Sequence, residues 1–271
     1  MKSLKQIIQE NYKFKINRNT KGYEYQPMKW GELREIIGER FERQGVGTEQ
    51  NPVDFNDIDI SNIDDLYGLF ENTEFEYIDV STWDVSKVIN MGKLFFRCLN
   101  LKSIGDISNW DVSKVKYMNY MFYDCENLES IGDLSTWNVS HVKDMNSIFG
   151  NCSKLKSIGD ISKWNVSQVE SMQFMFLYCE SLKSIGDLSN WDISSVTNMS
   201  AMFHMCTQLE SIGDLSKWDI SNVKDMGNMF TECENLTFVG DLSNWKISNI
   251  KNTILMFKNS GIINIPKWYK E

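Results

Sequence analysis

The chain has 271 residues, a net charge of −9 and a sequence pI of about 4.9. This length allows one large domain or two small ones, and the acidic balance argues against nonspecific nucleic-acid binding, which needs a basic face. No segment reaches the roughly 20 apolar residues of a membrane-spanning helix. The first residues also lack the apolar core of a secretory signal.

The first 53 residues contain no repeat and predict a small α+β unit. Tyr12, Phe14 and Ile16 alternate with other residues, and Tyr23 and Tyr25 alternate after the turn-like NRNTKG, which is typical of a β-hairpin. An amphipathic helix is predicted next, with Gly45 as its C-cap. Its apolar face would consist of Trp30, Leu33, Ile36, Ile37 and Phe41.

From residue 54 onward the sequence is periodic. Tryptophan recurs every 27 residues without a slip, after a degenerate first coil in which Ile58 lies 25 residues before Trp83. A fixed period of this length indicates a solenoid, in which each unit buries its apolar side against its neighbours. The repeated tryptophans are Trp83, Trp110, Trp137, Trp164, Trp191, Trp218 and Trp245.

Each coil combines a helical and a strand-like spacing of apolar residues. The helical set in one coil is Val115, Met118, Met121, Phe122 and Cys125, with Ser113 placed as an N-cap. The strand set is Leu128, Ile131, Leu134, Trp137 and Val139, and a glycine inside it predicts a bulge or kink. The sequence therefore predicts an α/β solenoid of about eight coils of 25–27 residues, with a parallel sheet on one side and short helices on the other.

The two ends are predicted to be caps. Residues 1–53 would cover the apolar face of the first coil, although a separate partner-binding headpiece is the alternative. Residues 54–271 would form the solenoid, with a C-terminal cap from about residue 246, because Pro266 cannot donate a hydrogen bond to a further strand. Such caps discourage end-to-end stacking.

Cysteine also recurs once per coil, and no C-x-x-C pair is present, so a zinc site is not predicted. The pattern favours a column of buried free thiols that ends in Thr73 and Ser260. The cysteines are Cys98, Cys125, Cys152, Cys179, Cys206 and Cys233.

The repeats resemble those of a known family. Phe75-x-x-Ile78-x-Val80-x-x-Trp83-x-Val85 fits the leucine-rich-repeat pattern, and Phe122-x-x-Cys125-x-x-Leu128 resembles the core of BspA-like bacterial leucine-rich repeats. The combination D-L-S-x-W-D-V-S-x-V-x-x-M-x-x-M-F is similar to the variant of mycoplasma surface lipoproteins and of gut-bacterial and phage proteins. The resemblance covers about residues 54–268 and implies adhesion to proteins or host surfaces rather than a reaction.

An aspartate stands four residues before each repeat tryptophan. Stacked carboxylates repel each other, so each one is predicted to accept backbone N–H groups in a turn; a row of weak cation sites is the alternative. A strip that recognises a partner is a third possibility. The column consists of Asp79, Asp106, Asp133, Asp160, Asp187, Asp214 and Asp241.

A binding site should lie where the repeats differ, because identical coils cannot encode a unique site. Aromatic and large apolar residues occupy variable positions of the predicted helical side, where they would form either an interface or packing between neighbouring helices. They are Phe96, Tyr117, Tyr120, Tyr123, Phe174, Leu177, Tyr178 and His204.

These patterns predict a non-enzymatic protein-interaction scaffold with no cofactor, and the family resemblance implies a bacterial or phage origin. A structural component of a phage particle or cell surface, or a host-surface adhesin, is the alternative. Enzyme activity is not predicted because only His141 and His204 are present and lie in different coils. The expected partner is a protein, the oligomeric state stays open, and the expected location is the cytoplasm or a virion, with the cell surface as the alternative.

Overall fold

The computed structural model describes residues 23–270. Its one helix of more than a single turn in these residues, α1, spans Trp30–Gln44. Two short strands, β1 at Val53–Asp54 and β2 at Ile78–Asp79, pair in parallel. The remaining named elements are single 3-10 turns at Leu134–Thr136, Leu188–Asn190, Leu215–Lys217, Leu242–Asn244 and Ile247–Asn249.

The coils stack in parallel, as the 27-residue period predicts. Isolated parallel bridges connect equivalent residues of successive coils on both sides of the solenoid. One series runs along the side predicted to be a sheet and includes Ser103 paired with Ser130. A second runs along the side predicted to be helical and includes Tyr117 paired with Asp144.

The predicted short helices are wrong, because the backbone of this side bonds mainly to the next coil. The Tyr120 N–H donates to the Asn146 carbonyl (2.8 Å) and the Phe122 N–H to the Ile148 carbonyl (2.9 Å), while the Cys125 N–H closes a turn onto Phe122 (3.1 Å). Successive β-turns, each closed by a hydrogen bond between residues i and i+3, bury the same apolar positions that a helix would bury. Ser113 is therefore not a helix N-cap; its N–H donates to the Asp111 carboxylate (3.1 Å).

The predicted sheet is also reduced to a ladder of bridges. The strand set around Leu134 contains a one-turn 3-10 helix, and no strand longer than two residues occurs between residues 23 and 270. The glycine in this segment has a positive φ, 91° at Gly132, and an added Cβ there would collide with the Asp106 carboxylate of the preceding coil. Close approach between coils, together with the backbone turn, explains why glycine is needed at this position.

The core consists of columns of identical side chains. The rings of Phe95 and Phe122 stack at 5.4 Å and those of Phe122 and Phe149 at 5.8 Å, and all three side chains are fully buried. Each of the seven repeat tryptophans is also buried and donates its indole N–H to a carbonyl of the preceding coil, as Trp137 does to Ile107 (3.1 Å). The tryptophan column is thus core, as the alternation with buried valine predicts.

The six cysteines of the column are buried and have free thiols, as predicted. The Cys125 thiol donates to the Phe95 carbonyl of the preceding coil (3.0 Å). At the two ends of the column, the hydroxyls of Thr73 and Ser260 instead donate to the carbonyl three residues earlier in their own coil, that of Phe70 (2.9 Å) and that of Phe257 (3.0 Å). Burial raises the pKa of Cys179 to about 12 and that of Cys233 likewise to about 12, so these thiols stay protonated and unreactive at neutral pH.

Helix α1 packs on the first coil. Leu33, Ile36 and Ile37 are buried as predicted, and Gly45 ends the helix with a φ of 69°. Arg40 shares the buried side, whereas Trp30 is 40% exposed and uses its indole N–H to bond the Tyr67 carbonyl (3.0 Å). The predicted hairpin falls mostly on residues 1–22, outside the described residues; its last part includes Tyr25, which pairs in parallel with Ile58.

At the other end, the tail covers part of the last coil. Trp268 stacks on Trp245 at 6.5 Å, and Tyr269 packs edge-on against Phe257 at 5.1 Å. Within residues 23–270, no helix has the length and apolar character needed to cross a membrane.

Candidate functional site

Three aromatic side chains of neighbouring coils form one cluster on the surface. The Phe96 ring stacks on the Tyr123 ring (5.6 Å) and meets the Tyr120 ring edge-on (6.1 Å), and Tyr120 and Tyr123 are 5.6 Å apart. All three are partly exposed. Burial, followed by the charge of Asp124, raises the pKa of Tyr123. We call Phe96, Tyr120 and Tyr123 the aromatic cluster.

The next coil accommodates this cluster with small residues. Ser147 and Gly150 take the positions that Tyr120 and Tyr123 hold one coil earlier. A Cβ added to Gly150 would lie 2.8 Å from the Tyr123 ring and 3.3 Å from the Phe174 carbonyl. The Tyr123 ring therefore lies over Gly150, and the cluster reaches toward the coil that carries Phe174.

Tyr117 lies apart from this cluster, in a column of turn-forming residues. The side chains of Asn90, Asp144 and Asn198 in that column each accept the N–H two residues later, for example Asp144 from Asn146 (2.9 Å). A tyrosine cannot make this turn, yet Tyr117 is bridged to both neighbours and is 44% exposed. This position gives up a local hydrogen bond for an exposed aromatic ring.

The other predicted residues lie in the two coils at 164–190 and 191–217. Tyr178 and His204 contact each other with ring centres 5.4 Å apart, and burial lowers the pKa of His204. Phe174 and Leu177 are partly exposed and continue the columns of Tyr120 and Tyr123 beyond the small residues of the intervening coil. Phe174 has a φ of 58°, a left-handed conformation that bulky side chains rarely adopt.

Two further residues border the aromatic cluster and were missed from the sequence. The Lys93 ammonium lies 5.0 Å from the centre of the Phe96 ring and 5.7 Å from that of Tyr67, which is 41% exposed. Cation–π contacts of this kind keep a positive charge beside an apolar surface. Tyr67 could have been found by aligning the degenerate first coil with the regular ones.

The aspartate column serves the backbone, in agreement with the turn prediction. Asp133 accepts the Ser135 N–H (2.9 Å) and Asp160 the Ser162 N–H (2.9 Å), and the other members repeat this bond. Hydrogen bonds from Ser162 lower the pKa of Asp160, and those from Ser216 lower the pKa of Asp214. In the described part of the chain, no three His, Cys, Asp or Glu side chains come together as a metal-binding group.

The chain matches the model of one protein family over residues 40–159 and 154–268, under the description "Mycoplasma protein of unknown function, DUF285". A search of curated proteins finds no match. The match confirms the mycoplasma-type repeat family that the motifs indicated.

Similar solved structures include a leucine-rich repeat protein from Eubacterium ventriosum, with 14% identity, 76% of this chain and 70% of that chain covered, and a TM-score of 0.40. A leucine-rich cell surface protein from Faecalibacterium prausnitzii has 21% identity and a TM-score of 0.38, and the alignment covers 64% of this chain and 41% of that protein. A leucine-rich repeat protein from Bacteroides ovatus has 19% identity, 71% and 67% coverage, and a TM-score of 0.23. Since the family model covers most of the sequence, the chain belongs to the DUF285 family.

Proposed function

We propose that this chain is a non-enzymatic scaffold of bacterial or phage origin that binds a protein partner through its aromatic cluster and Tyr117. The observation that carries the proposal is the residue at position 117. Its column otherwise supplies Asp, Asn or Ser for a local turn, and the one aromatic exception is exposed and lies in the same coil as Tyr120 and Tyr123. A fold requirement does not explain this exception, whereas a contact with a partner does.

The chemistry of the surface supports a protein partner. Tyrosine supplies a large contact area at low conformational-entropy cost, with a hydroxyl that can bond at the rim of an interface. Lys93 adds a cation beside the Phe96 ring. Phe174, Leu177, Tyr178 and His204 would extend the contact across the coil that contains Gly150.

The remaining parts of the proposal concern chemistry and location. We assign no reaction, since His141 and His204 belong to different coils and the thiols are buried. Six free thiols suit a reducing compartment, so we favour the cytoplasm or a virion assembled there, with the cell surface as the alternative.

The test replaces Tyr117 with asparagine, the residue found at positions 90 and 198. Tyr117→Asn should restore the bond to the Asn119 N–H and raise the free energy of unfolding by about 0.5–1 kcal/mol, since a local side-chain cap has this value. The same change should lower recovery of a specific protein partner at least several-fold, measured by quantitative pull-down from the native source.

Lys163→Ala, at an exposed position one coil further along, is the matched control and should change neither quantity. Full partner recovery by a more stable Tyr117→Asn variant would contradict the role of this surface. A loss of stability would contradict the turn argument.

A further inference from the structure

The last coil ends in a row of backbone donors. In each junction on the turn-forming side, N–H groups of alternate residues donate to carbonyls of the following coil, as Asn228 does to Ile254 (2.9 Å). In the last coil, the equivalent N–H groups have no acceptor among residues 23–270; they belong to Thr253, Leu255, Phe257 and Asn259. We call residues 251–259 the C-terminal edge.

The carbonyl groups between these donors are already bonded. The carbonyls of Thr253 and Leu255 accept the N–H groups three residues later in turns (3.1 and 3.0 Å), and those of Ile254 and Met256 accept N–H groups from the preceding coil (both 2.9 Å). An ordinary β-strand edge presents donors and acceptors together, whereas this edge presents its N–H groups alone. Unpaired N–H groups carry partial positive charge, as they do at the start of a helix, so the edge favours an acceptor-rich, anionic ligand.

Lysine side chains add to this positive charge. Residues 246–270 contain five lysines and no acidic residue, although the whole chain has a net charge of −9. Lys251 and Lys258 belong to the C-terminal edge, and both side chains are exposed. The backbone and the side chains of this end therefore favour the same kind of partner, an anionic one.

The carboxylates one coil back, those of Asp225 and Glu232, are held by amides of the last coil. The Asn252 side-chain amide donates to Asp225 (3.0 Å), and the Asn259 amide donates to Glu232 (2.7 Å). Neither carboxylate forms a salt bridge with the two edge lysines in the described part of the chain. The lysines of the edge are therefore available to an incoming anion.

An exposed isoleucine lies between the first two donors. Ile254 is 66% exposed and the neighbouring Leu255 is 37% exposed, so neither side chain serves to fill the core. Exposed aliphatic residues beside unpaired N–H groups are typical of an edge that takes up a segment of another chain. The column of Ile254 otherwise holds polar residues or glycine, namely Gly92, Asn119, Asn146, Gln173, Ser200 and Gly227.

We propose that the C-terminal edge binds an acidic segment of a partner protein, which takes the place of a following coil. Main-chain carbonyls of the segment would accept the four N–H groups, two of its carboxylates would face Lys251 and Lys258, and an apolar side chain between them would cover Ile254. Main-chain bonds would supply affinity and the side-chain pattern specificity, as when a strand is added to a sheet edge. This surface is separate from the aromatic cluster, so the inference does not depend on the proposed function.

Three other occupants are less suitable. The segment of residues 1–22, from the same chain or from another copy, contains six basic residues and one acidic residue and would bring like charge to the edge. Two C-terminal edges would place lysines against lysines and donors against donors. Anionic lipid headgroups would suit the lysines, but a membrane surface does not present acceptors in the fixed row that the four N–H groups require.

The first test titrates the full chain with a probe peptide of about nine alternating glutamate and valine residues, blocked at both ends and labelled for fluorescence anisotropy. Saturable binding is expected, with a Kd on the order of 10–100 µM that rises with added salt. Lys251→Glu/Lys258→Glu should raise the Kd about tenfold or more. The control Lys163→Glu/Lys183→Glu changes the net charge equally at exposed lysines of other coils and should leave the Kd within about twofold.

The second test concerns the backbone donors. Thr253→Pro removes one N–H group that has no acceptor among residues 23–270, so the fold loses no hydrogen bond there, while the Kd should rise about threefold or more. In the wild-type chain, saturating peptide should slow amide hydrogen exchange at Leu255 and Asn259 about tenfold or more. The exchange measurement needs no variant, so it tests the edge even if the proline variant fails to fold.

Equal binding by the wild-type and Lys251→Glu/Lys258→Glu chains overturns the proposal, and so does unchanged exchange at Leu255 and Asn259 under saturating peptide. Equal binding of a matching lysine–valine peptide also overturns it, because charge would then not select the ligand. Vesicles of phosphatidylserine and phosphatidylcholine that protect the same amides and are not displaced by the peptide would assign the edge to a membrane instead. Protection that appears on raising the protein concentration alone would assign it to a second copy.

Discussion

Two neighbouring coils, residues 110–136 and 137–163, differ mainly on the surface. Inside, Phe122 and Phe149 stack on each other and are equally buried. Outside, the first coil has Tyr117, Tyr120 and Tyr123 where the second has Asp144, Ser147 and Gly150. The shared positions define the solenoid, and the differing positions define a site that belongs to one part of it.

The largest expected effect concerns the shared interior and should be the same for both coils. Phe149→Ala and Phe122→Ala should each lower the free energy of unfolding by about 3–5 kcal/mol, because each removes one ring from a fully buried stack. Urea denaturation measures this loss, with the exposed His141→Ala as control, for which less than about 0.5 kcal/mol is expected. A much smaller cost for either phenylalanine would mean that the columns can collapse around the gap.

An intermediate effect is expected where the two coils touch at the surface. Gly150→Ala places a Cβ 2.8 Å from the Tyr123 ring, so the ring must move away, at a cost of about 1 kcal/mol in unfolding free energy. Partner recovery in the pull-down should fall with this displacement of the aromatic cluster. The exposed Lys163→Ala in the same coil should leave both quantities unchanged. Equal recovery by Gly150→Ala would remove Tyr123 from the binding surface.

The smallest effect concerns the aspartate column, which both coils share. The pKa values of Asp160 and Asp214 are lowered from 3.8 by hydrogen bonds from Ser162 and Ser216. A depressed folded-state pKa stabilises the fold above the unfolded value, and this stabilisation disappears as pH falls through the folded pKa. Both carboxylates are exposed, so each contributes only a few tenths of a kcal/mol.

Melting temperatures measured at pH 5 and pH 3 test this dependence on the aspartates. The wild-type value should drop more than that of Asp160→Asn/Asp214→Asn, because asparagine keeps the acceptor without titrating. Asn138 and Asn165 already make the same bond in the neighbouring column. An identical acid loss in both proteins would exclude these carboxylates as its source.

The sequence predicted the candidate site in part. It placed Phe96, Tyr120 and Tyr123 in variable positions, and the structure brings these three rings into contact. The sequence could not show that Tyr117 lies apart from these three rings. Tyr117 belongs to a column whose other side chains accept backbone N–H groups, and those hydrogen bonds become visible only in the folded backbone. Lys93 was missed for a similar reason, since its contact with Phe96 depends on the curvature of a turn.

The sequence by itself determined the period, the stacking of identical residues and the identity of the buried columns, because a 27-residue repeat of Trp, Phe, Met and Cys can be buried only against its own copies. Only the tertiary structure decided how the backbone hydrogen bonds are made. An i, i+3 apolar spacing suits a helix or a series of turns equally well, and the nearby coil supplies acceptors that make the turns possible. Among residues 23–270, the same inter-coil bonds leave the N–H groups of residues 253, 255, 257 and 259 without an acceptor, whereas α1 donates to carbonyls of the first coil; the two ends therefore differ because of the direction of stacking.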